Sequence, residues 1–511
     1  MPAMRRLSRT VRPGGARRSP ARPPLGHALA CFAAACLAGC TLGPDYKRPE
    51  LPLPTTWRAE LPNAGELANT DWWHAFGDVE LDRLIDSAID ANLDLKLAAH
   101  RVEAYNARLQ IAQAPYYPQI GYLAATGRER RSQERPNGLK PGEGPAFNNY
   151  EIGATFSWEI DLWGRVRRAD EAATANLLAT QHGRRAVMLS VVAGVASGYL
   201  QLLELDRQLE IAKLSLKNRE EALTLIDAKY RGGSAALLAV EQARAAVQSE
   251  EAAIPPIERE IATQENALSG LLGGNSGPIQ RSKLDLLILP QLPQGVPADI
   301  LSRRPDVMAA EQALVAANAR IGIAKAEYFP TISLTSLLGV GADDVRYLFA
   351  ETARTGNVTA SILGPVFSGF RIEGDIRQAE ALQREATVAY QQSVLNALRE
   401  VEDALVARTK LGTREVVVAR RVGTLEGVSG LARQRYEGGQ STFFAVLDAD
   451  LQLLSARSGL ASSRRDTLLA LVSVYKAMGG GWMIEQEKRR SEQATESIAQ
   501  AQNATDENAP K

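Results

Sequence analysis

The sequence predicts a mostly helical α+β chain, in which long antiparallel helical hairpins carry four strands and one structural unit is used twice. Three observations predict it. Stretches of the chain recur after roughly 200 residues, two proline-free segments have the length of very long helices, and residues 150–162 alternate strictly between apolar and polar.

Residues 1–24 hold seven arginines and no acid, and an apolar stretch follows from Leu25 to Leu37. That stretch is too short to span a bilayer as a mature helix and reads as a secretory signal peptide over 1–39. It ends in Leu37-Ala38-Gly39-Cys40, the pattern of a bacterial lipobox, with Cys40 as the thiol that takes a diacylglycerol. The bland alternative is a plain signal followed by a chance cysteine. Thr41, rather than an aspartate, follows the cysteine, which in this lipoprotein class resembles release to the outer membrane. The other two cysteines, Cys31 and Cys36, leave with the signal, so no internal disulfide is available to the mature chain. Removing seven signal arginines from 59 bases leaves 52 against 59 acids, a mature charge near −7 that disfavours nucleic acid as a partner.

Residues 40–70 are proline-rich and aperiodic and read as a lipidated, extended tether. The repeat follows. Residues 98–120 align without a gap with 310–332, Asn106-Ala107-Arg108 matching Asn318-Ala319-Arg320. Tyr230-Arg231-Gly232-Gly233 matches Tyr436-Glu437-Gly438-Gly439 further on. The first copy is set at 71–285 and the second at 286–482, with a polar tail at 483–511. Each copy has the same order: a helical segment (75–113; 297–327), a Tyr-aromatic-Pro stop, two strand-like segments, a very long helix, a Gly-Gly turn and a returning helix.

No proline interrupts 146–254 or 366–509, so 165–230 and 370–436 can each be one helix about 100 Å long. The first carries a heptad-like stripe through Val191, Val195, Gly198, Leu202, Leu205, Leu209, Ala212, Leu216, Leu223, Ile226 and Tyr230, which argues for supercoiled packing. The stripe of the second (Leu398, Val401, Leu405) fades at Arg408 and Gly412. Pro255-Pro256 is expected to kink or break the first returning helix.

The strand segments are placed at 119–128, 150–162, 331–340 and 357–367. From Tyr150, one face takes Ile152, Ala154, Phe156, Trp158, Ile160 and Leu162; the other takes Glu151, Gly153, Thr155, Ser157, Glu159 and Asp161. A soluble sandwich strand also alternates, but three carboxylates on one face suit a barrel strand with lipid outside and water inside. Four strands cannot sit in lipid as an open sheet, because both edges would be unpaired. Two copies would make eight strands, whose interior fills with side chains; three make twelve, wide enough for a lumen. A conducting channel therefore calls for a homotrimer with a twelve-stranded outer-membrane β-barrel.

At Cys40-Thr41-Leu42-Gly43-Pro44-Asp45-Tyr46, Trp72-Trp73, Ser157 to Arg165, Arg303-Arg304-Pro305-Asp306-Val307, Gly364 to Gly369 and Gly479-Gly480-Gly481-Trp482 the chain resembles the TolC-like outer-membrane factor family, in its lipoprotein (NodT-type) branch. The resemblance implies a passive exit duct with a helical tunnel through the periplasm, and no catalysis. It also implies adaptor docking at the hairpin tips (Tyr230, Gly232, Gly233, Tyr436, Gly438, Gly439) and an inner-membrane pump beyond the adaptor. Tyr116-Tyr117-Pro118 and Tyr328-Phe329-Pro330 would mark the helix-to-barrel junction. Asp448 matches the most widely shared of the aspartates that ring the closed tunnel end in this family; Asp450 is a further acid nearby, and the position three before Asp448 is Ala445. Aspartates early in a helix also simply complement its dipole.

No enzyme motif competes. His74, His100 and His182 stand apart without a metal-ligand spacing, and Gly270-Leu271-Leu272-Gly273-Gly274 lacks the Lys-Ser/Thr of a phosphate loop. No cofactor or metal is expected. The rivals to an efflux duct are a type I secretion duct and a non-conducting coiled-coil spacer. The lipobox leans toward a resistance-nodulation-division pump, and a spacer has no need of the barrel strand at 150–162.

Overall fold

The computed structural model describes residues 41–52, 54, 57, 71–130, 146–289 and 300–480. The signal peptide, Cys40 and the polar tail lie outside the described residues. A 3₁₀ turn at Trp72–Phe76 leads into α1 (Val79–Ala91) and α2 (Leu93–Gln113), then β1 (Gln119–Arg130), β2 (Ala146–Ile160), α3 (Arg165–Arg231) and α4 (Leu237–Leu271). The second copy repeats the order with α5 (Pro305–Ala326), β3 (Thr331–Ala342), β4 (Arg354–Leu363), α6 (Arg371–Glu437) and α7 (Phe443–Ala477). The two long helices are 67 residues each and the two returning helices 35 each, so the copies match in length as well as in order.

Contacts divide the chain across the repeat rather than between its copies. Residues 118–167 and 326–366, with the start of the mature chain, form a sheet unit; 43–117, 168–325 and the residues from 367 onward form a helical unit. Each copy thus gives two strands to one unit and its helices to the other.

In the helical unit, Leu81, Leu84, Ile85, Ala88 and Ile89 fall on one face of α1 and are buried there, as a 3.6-residue period requires. Asp78 caps that helix by accepting from the Glu80 and Leu81 amides. Its second oxygen accepts from the buried Tyr199 hydroxyl of α3 at 2.7 Å and from Ser282. Trp72 stacks on Tyr475 of α7 with ring centroids 5.1 Å apart. Of the stripe read on α3, Val191, Val195, Leu202, Leu205, Ala212 and Ile226 are buried, Leu209, Leu216 and Leu223 are half-buried, and Tyr230 is exposed. Gly198 completes it by its lack of a side chain, since a Cβ there would lie 2.9 Å from the Leu268 side chain of α4. The fully buried Glu204 is met by Ser462 and Arg465 of α7, which ties the first hairpin to the second.

Two expectations are corrected. Helix α4 is not broken, because Pro255 and Pro256 lie inside one continuous helix. Residues 251, 252, 255 and 256 are exposed, so water can take the carbonyls that the missing proline N–H groups leave without partners. Strand β2 starts at Ala146 and ends at Ile160, so Asp161 and Leu162 lie beyond it. Asp161 accepts instead from the Val166 and Arg167 amides, a cap at the start of α3.

Candidate functional site

The four strands form one antiparallel meander in the order β1-β2-β3-β4. Its register brings like residues together. Ile120 faces Phe156, Tyr122 faces Ala154, Ile160 faces Ile332 and Ile332 faces Ile362, all on one face. That face is open to its surroundings, with Tyr122 91% and Ile362 71% exposed. On the other face lie Glu151, Thr155, Ser157, Ser333, Thr335, Thr355, Asn357, Thr359 and Ser361. Leu123, Phe147, Leu337 and Leu363 interrupt that polar set, but the two faces still differ in character and suit lipid on one side and water on the other. Ser336, the hydroxyl amid the apolar set of β3, bonds the Asn357 carbonyl at 2.9 Å and so needs no solvent.

The polar face also carries the tightest approach between strands. Gly153 faces Gly339 across β2 and β3, and a Cβ on Gly339 would lie 2.2 Å from the Ile152 carbonyl oxygen. Strands close so tightly only where both carry glycine. Of the three carboxylates expected on this face, Glu159 pairs with Arg165 at 2.7 Å and Asp161 has left the strand, so Glu151 is the one without an ion pair among the described residues. Both outer strands, β1 and β4, are edges within the chain, and β4 is exposed at all ten of its residues.

The stretch expected as a tether is fixed where it is described. Leu42 donates to the Trp163 carbonyl, and Thr41 packs on Gly164, which holds φ +78°. Within the helical unit, Gly43 lies so close to Gly322 of α5 that a Cβ would meet its Cα at 2.5 Å. Asn318 donates to the Pro44 carbonyl at 2.8 Å. Arg168, itself buried, pairs with Asp45 at 2.8 Å. The buried Glu311 of α5 accepts from Tyr46 at 3.0 Å and from Arg48 at 2.6 and 2.7 Å. Removing Arg48 would leave that carboxylate buried without its cation. The proline content read as looseness; the tight glycine and the charged pairs were the signals missed.

At the hairpin tips the two turns are the same motif. Ser234 N–H bonds the Lys229 carbonyl and Gln440 N–H the Arg435 carbonyl, each at 2.8 Å, and Gly233 and Gly439 stand at φ +75° and +74°. The positive-φ requirement falls on these second glycines. Gly232 and Gly438 are right-handed, and a Cβ there meets nothing nearer than carbonyl oxygens at 3.5 and 3.4 Å. Tyr436 is half-buried, 5.4 Å from Phe443 ring to ring, with the Lys229 ammonium 4.7 Å over its face; Tyr230 is 40% exposed. The two aspartates of α7 point apart. Asp448 is exposed and accepts from Gln452 of its own helix at 2.7 Å. Asp450 turns to α6, accepting from Ser429 at 2.5 Å and pairing with Arg433 at 3.5 Å.

At the junction read from the Tyr-aromatic-Pro stops, Trp163 donates to the Pro330 carbonyl at 2.7 Å and lies 4.7 Å from Phe329, while Tyr116 bonds Asp170. The histidines are satisfied locally, His74 by Asp82 and His100 by Glu103. No group of three His, Cys, Asp or Glu able to hold a metal occurs among the described residues.

Comparison with known proteins bears directly on this arrangement. The family model described as outer membrane efflux protein matches residues 84–274 and 296–480. The solvent efflux pump outer membrane protein SrpC of Pseudomonas putida is 34% identical over 477 residues, covering 90% of this chain and 99% of its own. The cation efflux system protein CusC of Escherichia coli K12 is 34% identical over 457 residues, covering 88% and 98%. The open-state crystal structure of the Neisseria gonorrhoeae MtrE outer membrane channel superposes with a TM-score of 0.78 at 28% identity, over 87% of this chain and 99% of that one.

Proposed function

We infer that this chain, which belongs to the outer membrane efflux protein family, closes with two further copies into a twelve-stranded barrel and is the exit duct of a tripartite efflux system. The observation that carries the reading is the four-stranded sheet with an apolar face, a polar face and two open edges. Edges of that kind cannot be left unpaired in lipid, and β4 of one copy against β1 of the next removes all of them at once. Substrate comes from an inner-membrane pump, of the resistance-nodulation-division type, through a periplasmic adaptor that docks at the tips. Lipidated Cys40 anchors the chain, and Thr41 and Leu42 lie fixed at the foot of β2, leaving almost no slack between anchor and sheet. The duct performs no chemistry, and its energy comes from the pump. SrpC is named for solvent and CusC for cations at the same identity to this chain, which supports a cargo chosen outside the duct.

The gate is assigned to Asp448, which has an exposed carboxylate held only from its own helix. Three copies round a threefold axis would gather like charges, attract cations and bind divalent ions. Asp450 serves the hairpin itself. The purified full-length protein should have the mass of a trimer and conduct in planar bilayers. A monodisperse monomer that still conducts overturns the architecture. Asp448→Ala should keep the trimer, weaken block by divalent cations and lower cation preference; unchanged block moves the constriction elsewhere.

A further inference from the structure

We propose that the loop-end rim of the sheet's apolar face binds the phosphates of anionic lipid in the outward leaflet of the outer membrane, an inference that rests on the trimeric barrel proposed above.

Alternate residues of the four strands share the apolar face, the even-numbered ones in each case. Among the described strand residues no carboxylate lies on that face; Glu129, Glu151 and Glu159 all lie on the other. Its charged side chains are Arg128 and Arg130 on β1 and Arg354 on β4. All three sit at the strand ends joined to the loops, Arg130 as the last residue of β1 and Arg354 as the first of β4. Arg128 lies eight positions after Ile120, and Ile362 eight positions after Arg354. At about 3.3 Å per residue and a tilt near 40°, that is roughly 20 Å of height, with Arg130 at about 25 Å. A barrel's apolar band is about 25 Å tall, so the arginines begin where the hydrocarbon ends.

Their partners are the second observation. Arginines at either end of this unit are otherwise tied to acids: Arg165 to Glu159, Arg167 to Asp161 and Arg346 to Asp344. Arg128, Arg130 and Arg354 are exposed and make no ion pair among the described residues. They also occupy the two edge strands. When β4 of one copy closes on β1 of the next, Arg354 comes beside Arg128 and Arg130 of its neighbour, giving three guanidinium groups at each of three seams. A cationic cluster facing outward, without an acid paired to it among the described residues, is complementary to a phosphorylated headgroup, and the guanidinium fork donates to two phosphate oxygens at a time. The occupant is therefore a lipid carrying phosphate monoesters at headgroup depth, of which lipid A is the form available in that leaflet.

Native mass spectrometry of the detergent-purified, lipidated full-length protein tests this by titration with bis-phosphorylated lipid A. Its dephosphorylated counterpart and phosphatidylcholine serve as controls. Wild type should bind lipid A in preference to both. Replacing all three arginines by glutamine should weaken that binding roughly a hundredfold, while each of Arg128→Gln and Arg354→Gln alone weakens it in part and keeps the trimer. The single variants carry the test if the triple variant fails to assemble. Equal lipid A binding by wild type and variants overturns the proposal, as does equal binding of the dephosphorylated lipid by wild type. The same spectra give the oligomer mass, so a wild-type protein without trimer refutes the assembly, whereas a trimer indifferent to its arginines refutes the rim alone.

Discussion

In the first copy of the repeat the returning helix ends against Asn92, whose amide donates to the Leu271 carbonyl at 2.8 Å. In the second, the matching end meets Arg304, which donates to the Ala477 carbonyl at 3.0 Å. The glycines that follow are matched as well. Gly273 at φ +68° lies over the Ala91 backbone and Gly479 at φ +88° over the Arg303 backbone, each so close that a Cβ would clash. The geometry of closure is shared, and the chemistry is not. The first copy is closed by a neutral amide, Asn92, beside a network in which the Asp78 carboxylate accepts from the Tyr199 and Ser282 hydroxyls. The second is closed by a buried cation that also binds Asp306 at 2.7 Å and Glu400 at 2.8 Å, joining α5, α6 and α7 at one point. A duplicated backbone thus keeps its glycines, where no side chain fits, and lets its polar groups drift wherever another donor reaches the same carbonyl.

The tips sharpen the comparison, and there the largest difference is expected. Tyr436 packs with Phe443 beside Ile226, Val240, Ala243 and Val446, whereas Tyr230 faces outward from the matched position. Tyr436→Ala should lower stability by about 2–3 kcal/mol, and Tyr230→Ala by less than about 0.5 kcal/mol. Thermal unfolding of the two variants in the same detergent measures it. Equal losses would make the tips equivalent despite their different packing.

A smaller effect separates the paired glycines within each tip. Gly233→Ala and Gly439→Ala place a side chain at positive φ and should each cost about 1–2 kcal/mol. Gly232→Ala and Gly438→Ala should be neutral or stabilising by up to about 1 kcal/mol, through a stiffer unfolded chain. Denaturant midpoints for the four variants decide it. A loss at Gly438 as large as at Gly439 would mean that the first glycine serves an approaching surface rather than the backbone.

Much of this was legible in the sequence. Tyr-x-Gly-Gly recurring before a new helix marked both tips, and the alternation from Tyr150 gave β2 its two faces. Proline spacing gave the lengths of α3 and α6, because one proline inside either would have had to disrupt a single continuous ladder. The rest depended on partners far along the chain. Nothing near Pro44 or Arg48 announces Asn318 or Glu311, so a proline-rich segment read as loose although its charges are held. Asp161 read as one more strand acid until the strand ended before it and its carboxylate turned to the α3 amides. Pro255-Pro256 misled for the opposite reason, since a local penalty was outweighed by a helix exposed to water where the ladder is interrupted.

The smallest expected effect returns to the two closures and uses acid to tell them apart. Burial alone would push the Asp306 carboxyl up, but the hydrogen bond and charge of Arg304 hold it below the ordinary value of 3.8. A carboxyl lowered on folding contributes stability that is fully present above its unfolded pKa and is lost as pH falls through the folded one. The second closure should therefore be unaffected from pH 7 to about 5 and loosen below about 4, as Asp306 protonates and Arg304 keeps its charge. Asn92 has no proton to gain in that range, so its bond to the Leu271 carbonyl should hold. Hydrogen exchange at the ends of α4 and α7, corrected for intrinsic rates and taken at pH 7 and near pH 3, reads both in one experiment. Exchange at the α7 end should rise relative to the α4 end only at the lower pH, and Arg304→Asn, which copies the first closure, should abolish the difference. If the two ends loosen together in the wild type, acid acts on the helical unit as a whole and the charged closure has no separate role.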